Sequence, residues 1–134
     1  MNDQEKLIRD LSQSWPMPSK KSPVVIIGTG GIVKDAHLPA YKKSGYNVAG
    51  LFDIDKDKAH GLAKEFDINK VFNSFEECFE NKDCVFDLAL PPANLLEVVE
   101  KLPENIYAIL QKPLGRSLEE GNKIRKICHQ KNIN

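Results

Sequence analysis

The stretch Val24-Val25-Ile26-Ile27-Gly28-Thr29-Gly30-Gly31-Ile32-Val33 decides the fold. Its first half is four β-branched residues in a row, the pattern of a strand covered on both faces. Its second half is a glycine turn opening a segment that reads as helix over 31–43. Glycine at 28 permits the tight turn. Glycine at 30 lets the backbone approach a pyrophosphate with no side chain between them. Phosphates held there sit over the N-terminus of the helix, where free N–H groups and the helix dipole favour an anion. Thr29, Gly31 and Ile32 complete the candidate phosphate turn, and Val33 stands where Gly or Ala is usual for close helix–strand packing. A glycine pattern alone is weak. A strand before it and a helix after it supply the confirming context.

Outward from this turn, strand and helix alternate to the end of the chain. Further strands are expected at 48–52, 70–72, 85–90 and 106–110. Between them, Pro39 starts a second short turn of helix, and Asp55 caps a helix reaching about Glu65. Ser74 and Ser117 each precede a Glu three residues on, the form of a capping box. Leu95, Val98, Val99 and Leu102 line one helix face; Ile124, Ile127 and Cys128 line the last. Five strands alternating with helices give an α/β class, a Rossmann-type doubly wound parallel sheet in three layers with right-handed crossovers. Residues 131–134 fall where a following strand is expected. Residues 1–22 differ: Leu7, Ile8 and Leu11 make a short helical stripe, and Trp15-Pro16-Met17-Pro18 forces extended chain. They read as a frayed leader or as an arm docking Trp15 and Met17 on the body, the latter being the expectation. The division is thus an arm at 1–22 and a dinucleotide-binding domain at 23–134.

Composition narrows the function classes. The 134 residues include 19 basic and 19 acidic side chains, so the chain lacks the basic excess that phosphate-gripping nucleic-acid binders need. The apolar runs are too short to span a bilayer. Cys78, Cys84 and Cys128 are odd in number and show no metal-ligand or CxxC spacing, which reads as reduced thiols. The N-terminus has no apolar run of a signal peptide. A cytoplasmic protein with no membrane or nucleic-acid partner is the expectation.

Asp53 ends the second strand, 25 residues after Gly28, near the usual separation of about 20. A carboxylate there can accept hydrogen bonds from both hydroxyls of an adenosine ribose and repel a 2′-phosphate, favouring NAD over NADP. It could instead merely cap a turn, and Lys56 and Lys58 nearby could soften the discrimination. Ligands of open α/β sheets bind outside the carboxyl ends of the strands. Leu90-Pro91-Pro92-Ala93-Asn94 and Gln111-Lys112-Pro113 both fall there. Lys112 could carry a proton or contact a ribose; it could equally be a solvated surface lysine.

Taken together, Gly28-x-Gly-Gly-Ile-x5-His-Leu-Pro-Ala40, Val-Ala-Gly-Leu-Phe-Asp53, the proline pair and Gln-Lys-Pro113 resemble the N-terminal half of the Gfo/Idh/MocA oxidoreductases. This is the glucose-fructose oxidoreductase and inositol dehydrogenase group, and the likeness covers about residues 23–128. It implies hydride transfer with a sugar or polyol, Lys112 beside nicotinamide and substrate, and Gln111 on the cofactor. Leu90, Pro91 and Asn94 join the cofactor site on the same ground, and the Lys112–Pro113 bond is open to the cis form. Three departures stand out: Gln111 replaces the usual Glu, Asn94 precedes two leucines where a histidine is common, and no second, substrate-binding domain follows. His37 reads as packing or helix hydrogen bonding rather than catalysis. The resemblance thus implies the cofactor half of a dehydrogenase, inactive alone and open to self-association. A non-catalytic NAD-binding redox sensor or partner module and a methyltransferase are the other readings.

Overall fold

The computed structural model describes residues 2, 4–6 and 16–134. Trp15 lies outside the described residues. Met17, expected against the body, is instead 51 % exposed.

β1 (Val24–Ile27) is fully covered, as its β-branched run requires. It pairs in parallel with β2 (Val48–Phe52) on one side and β3 (Val85–Leu88) on the other, and β3 pairs in parallel with β4 (Tyr107–Leu110). The sheet order is β2-β1-β3-β4. The expected strand at 70–72 reduces to a single parallel bridge between Val71 and Leu51. Leu51 N–H donates to Lys70 C=O and Phe72 N–H to Leu51 C=O, and the chain then turns away at the Ser74 cap, so the ladder stops after one step. Gly50 makes room for this crossing, since a Cβ there would lie 2.5 Å from the Phe72 ring. At the opposite edge, Asn134 N–H donates to Ile106 C=O and Asn134 C=O accepts from Ala108 N–H, so the expected strand position beside β4 is taken up by that residue.

A π-helical segment, Val33–His37, runs directly into α1 (Leu38–Ser44), with Pro39 in its first turn and Gly45 ending it in the left-handed region. α2 (Lys56–Glu65) is capped by the Asp55 carboxylate, α3 (Phe75–Phe79) by Ser74, and α5 (Leu118–Gln130) by Ser117. The glutamates of the two Ser caps reach the backbone N–H one residue before the cap, at Asn73 and Arg116. α4 (Pro92–Lys101) starts within the proline pair that ends the β3 run, with Pro91 as its N-cap and Pro92 as its first residue.

Strand alternation sorts the core into two layers. Val25, Ile27, Phe86 and Leu88 face α4 and α5 with Leu95, Val99 and Ile124. Val24 and Ile26 face the other way, against Val33, Leu38, Leu62 and Ala63. On that second face the helices cover β2 and β1 and stop at β3, leaving Tyr107 and Ile109 of β4 62 % and 42 % exposed. The consequence for function is positional. β2 and β3 leave β1 in opposite directions, and the crevice this opens at the strand carboxyl ends is where such sheets bind ligands.

Candidate functional site

Gly28 continues β1, its N–H donating to Phe52 C=O at 2.8 Å. Its φ is +99°, and a Cβ would stand 2.3 Å from Ala89 C=O, so this glycine is required by the fold itself. Gly30 is different. A Cβ there would meet nothing within 4 Å, which leaves the backbone bare toward open space at the start of the helix. A cleft of about 320 Å³ lies over this turn, bounded by Thr29, Asp53, Phe75, Leu90, Pro91 and Asn94 among others. Seven of the expected cofactor residues (Gly28, Thr29, Gly30, Asp53, Leu90, Pro91, Asn94) line it together. Gly31 and Ile32, at the helix start, are exposed beside it.

Thr29 is buried and aims both its donors at one atom. Its N–H and its hydroxyl donate to Asp53 Oδ2 at 2.7 and 2.6 Å. Asp55 N–H donates to Oδ1 at 3.0 Å. Burial alone would push the Asp53 carboxyl up, but the Thr29 hydroxyl, the Asp55 and Thr29 N–H groups and the charge on Lys58 together hold it below its ordinary value. Asp53 is therefore an oriented anion. Oδ2 takes two of these bonds and Oδ1 one, which leaves more acceptor capacity on Oδ1. The two nearby lysines separate. Lys58 lines the cleft, whereas Lys56 Nζ is bound to the Phe72 and Asn73 carbonyls over the Phe52 ring.

Gln111 and Lys112 follow β4 and do not line this cleft. The Lys112–Pro113 peptide is cis, and Lys112 is exposed. Gln111 turns to the other side of β3, where its Nε2 donates to Asp87 Oδ1 at 3.2 Å. Among the described residues no cluster of His, Cys, Asp and Glu could hold a metal, and no helix is long and apolar enough to cross a membrane. Burial raises all three thiols, Cys78 to about 12, so none is a reactive thiolate.

Residues 23–133 match the Gfo/Idh/MocA family model, an oxidoreductase family with an NAD-binding Rossmann fold. The chain belongs to this family. It is 34 % identical over 111 residues to an uncharacterized protein of Saccharomyces cerevisiae, covering 78 % of this chain and 32 % of that one. In fold it is similar to myo-inositol dehydrogenase from Lactobacillus casei, solved with NAD(H) and myo-inositol (TM-score 0.75, 23 % identity, 86 % of this chain, 36 % of that chain). It is similar too to a super-repressor mutant of Gal80p from Saccharomyces cerevisiae (TM-score 0.72, 17 % identity, 85 % and 33 %). The chain thus spans about a third of the length of these relatives. Family membership displaces the methyltransferase reading.

A buried carboxylate that no motif marks lies on β3 outside the cleft. Asp87, fully buried on β3, accepts from Tyr41 Oη and His37 Nδ1, both at 2.8 Å, and from Gln111. His37 therefore bonds across to the sheet, not within its helix. Burial, then the charge of Asp87 and the hydrogen bond to it, hold the Tyr41 hydroxyl well above its ordinary value, so it stays a donor. The available signals were one acid inside an apolar strand and the His37/Tyr41 spacing of four.

Proposed function

We propose that this chain holds NAD at the Gly28–Asp53 cleft and serves as the cofactor half of a dehydrogenase acting on a sugar or polyol. The observation that carries the reading is the bare backbone at Gly30 beside an oriented, ionised Asp53 in one cleft. The residues fit a dinucleotide: open backbone and a helix start suit a pyrophosphate, and a carboxylate acceptor suits a ribose. Leu90, Pro91 and Asn94 close the far wall.

A bound nicotinamide dinucleotide supplies the hydride acceptor or donor. This chain's own residues bind and orient. The N–H groups after Gly30 would hold the pyrophosphate and Asp53 Oδ1 would accept a ribose hydroxyl, while Thr29 keeps that carboxylate turned and charged. Lys112 Nζ, exposed after β4, is the group that would hold a proton at a substrate hydroxyl. NAD is favoured over NADP because a 2′-phosphate would meet the Asp53 charge; Lys58 in the same cleft narrows the margin. The second reading is a non-catalytic NAD-binding module that senses redox state or serves a partner. It draws on the open surface after β4, where Lys112 is exposed outside the cleft.

Calorimetric titration of the 134-residue chain with NAD and NADP tests the cofactor reading. NAD should bind more tightly, by about tenfold for one charge-assisted contact set against repulsion. Asp53→Ala should weaken NAD and narrow the gap. Equal affinities in the unchanged chain would sink the preference, and binding of neither would sink the site.

A further inference from the structure

Asp87 sits where a carboxylate is costly, at 0 % exposure on the central strand β3. His37 Nδ1 and Tyr41 Oη donate to its Oδ2, and Gln111 Nε2 donates to its Oδ1. These bonds satisfy the oxygens with groups that need carry no charge, so they do not neutralise the anion. Among the described residues, no lysine or arginine lines the groove that opens beside this network. The site is built around a charge that lacks a counterion.

The inward bonds fix what the same side chains show outward. A carboxylate only accepts, so Gln111 turns its amide nitrogen to Asp87 and keeps its carbonyl oxygen Oε1 spare. His37 commits its Nδ1 proton to Asp87, so the neutral ring presents a lone pair at Nε2. Neither Oε1 nor Nε2 has a hydrogen-bond partner among the described residues, and no partnerless side-chain nitrogen or oxygen there is buried, so both atoms are open. His37 and Gln111 line a groove of about 320 Å³ whose apolar walls are Ala36, Ala40 and Ile109. It thus joins apolar walls to a floor of acceptors over a buried anion. The apolar strip runs on beyond it, since Tyr107, Ile109 and Gln111 are alternate residues and the exposed Tyr107 continues the row along β4.

A ligand for such a floor must donate hydrogen bonds and bring positive charge, and the walls ask for an apolar stem. An anion fails on the first count, and a bare cation leaves the walls unused. An arginine side chain meets every demand: its planar head bridges two acceptors with separate N–H groups, it sheds water more easily than an ammonium, and its methylenes pack on alanine. We propose that the groove between the Val33–Ser44 helix and β4 docks an arginine side chain of a protein partner, whose apolar neighbours lie along Tyr107 and Ile109. The strip beyond the groove is what selects a protein surface over a free cation. This groove shares no residue with the Gly28–Asp53 cleft, so the inference stands apart from the NAD reading.

The test is an NMR titration of the full chain at pH 8, above the ordinary imidazole range, with butylguanidinium, butylurea and butyrate. Butylurea keeps the stem and N–H donors and lacks the charge. Butylguanidinium should shift the Ile109 methyl and Gln111 side-chain amide signals saturably, with a Kd of about 1–10 mM, and bind about tenfold more tightly than butylurea. Butyrate should not bind. Gln111→Leu removes one acceptor and should weaken butylguanidinium by about threefold to fivefold. Ala40→Leu fills the groove from an exposed helix position with the network left in place, and should weaken it by at least about fivefold. The peptide acetyl-Leu-Arg-Leu-amide should bind about fivefold more tightly than butylguanidinium, a margin that Tyr107→Ser removes. Equal binding of butylguanidinium and butylurea, or titrations unmoved by Ala40→Leu, would overturn the site. A peptide no tighter than butylguanidinium would overturn the protein partner and leave a site for a free organic cation.

Discussion

Two glycines of one turn carry different duties, and substitution should separate them. Gly28→Ala forces a Cβ to within 2.3 Å of Ala89 C=O at a positive φ, and should cost about 2–4 kcal/mol of stability by overpacking and backbone strain. Gly30→Val places its side chain in open space, so its urea midpoint should stay near that of the unchanged chain while thermal stabilisation by NAD disappears. A Gly30→Val chain still fully stabilised by NAD would mean that the turn does not hold phosphate. Thr29→Val tests the neighbouring clamp, removing a hydroxyl donor worth about 1 kcal/mol. The folded state holds the Asp53 carboxyl below its ordinary value, so its contribution is present above the ordinary carboxylate range and lost as pH falls through the lowered one. Thr29→Val should therefore shrink the stability difference between pH 7 and pH 3, measured by urea unfolding at each. At this scale Gly28 and Gly30 were legible because they directly follow one strand, and Asp53 because it ends the next. Asp87 was not legible, since its partners lie 46 and 50 residues upstream and 24 downstream. A π turn, moreover, shifts the helical face by one residue without any mark in composition.

Helices and strands were legible where short-range chemistry decides them. Asp55, Ser74 and Ser117 all accept from an N–H three residues on, as their positions before helical runs require. Ser117→Ala should cost about 1 kcal/mol, read as a lower urea midpoint, with Ser117→Asp restoring it. The segment at 70–72 shows the limit. Lys70-Val71-Phe72 has strand-like residues, but its pairing depends on how soon the chain must leave for α3, and propensity does not carry that information. The far end of the sheet is held by a contact that no pattern displays. Lys131 Nζ donates to Leu102 C=O at 2.7 Å and to Glu100 C=O at 2.5 Å, tying α5 to the end of α4. Lys131→Met keeps the length and removes the donor. It should lower stability by about 1 kcal/mol and speed amide exchange selectively at the α4–α5 junction.

Across the molecule, cofactor-binding groups and substrate-handling groups are unequally supplied. The turn, Asp53 and the wall at Leu90–Asn94 line one cleft, whereas among the described residues the carboxyl end of β4 carries an exposed Lys112 and no enclosing wall. Hydride transfer demands that the reacting carbon be held against the nicotinamide, and such positioning supplies up to about 7–11 kcal/mol of the barrier. It also needs a base placed on the hydroxyl as the hydride leaves. Lys112 could meet the second demand; nothing in the described surface meets the first. This 134-residue chain should therefore bind NAD and turn over no inositol, hexose or sugar acid at a rate above background. The exposed Tyr107 and Ile109 on β4 should also promote association between chains as concentration rises, which light scattering would register and Ile109→Lys would reduce. The decisive assay follows NADH absorbance across that substrate panel with chain purified free of contaminating dehydrogenase. Turnover abolished by Lys112→Ala would show that one lysine at an open sheet edge suffices, and the division of labour argued here would be wrong. Absence of turnover in a chain that demonstrably binds NAD, with activity in a longer protein carrying the same residues, would establish it as the cofactor half.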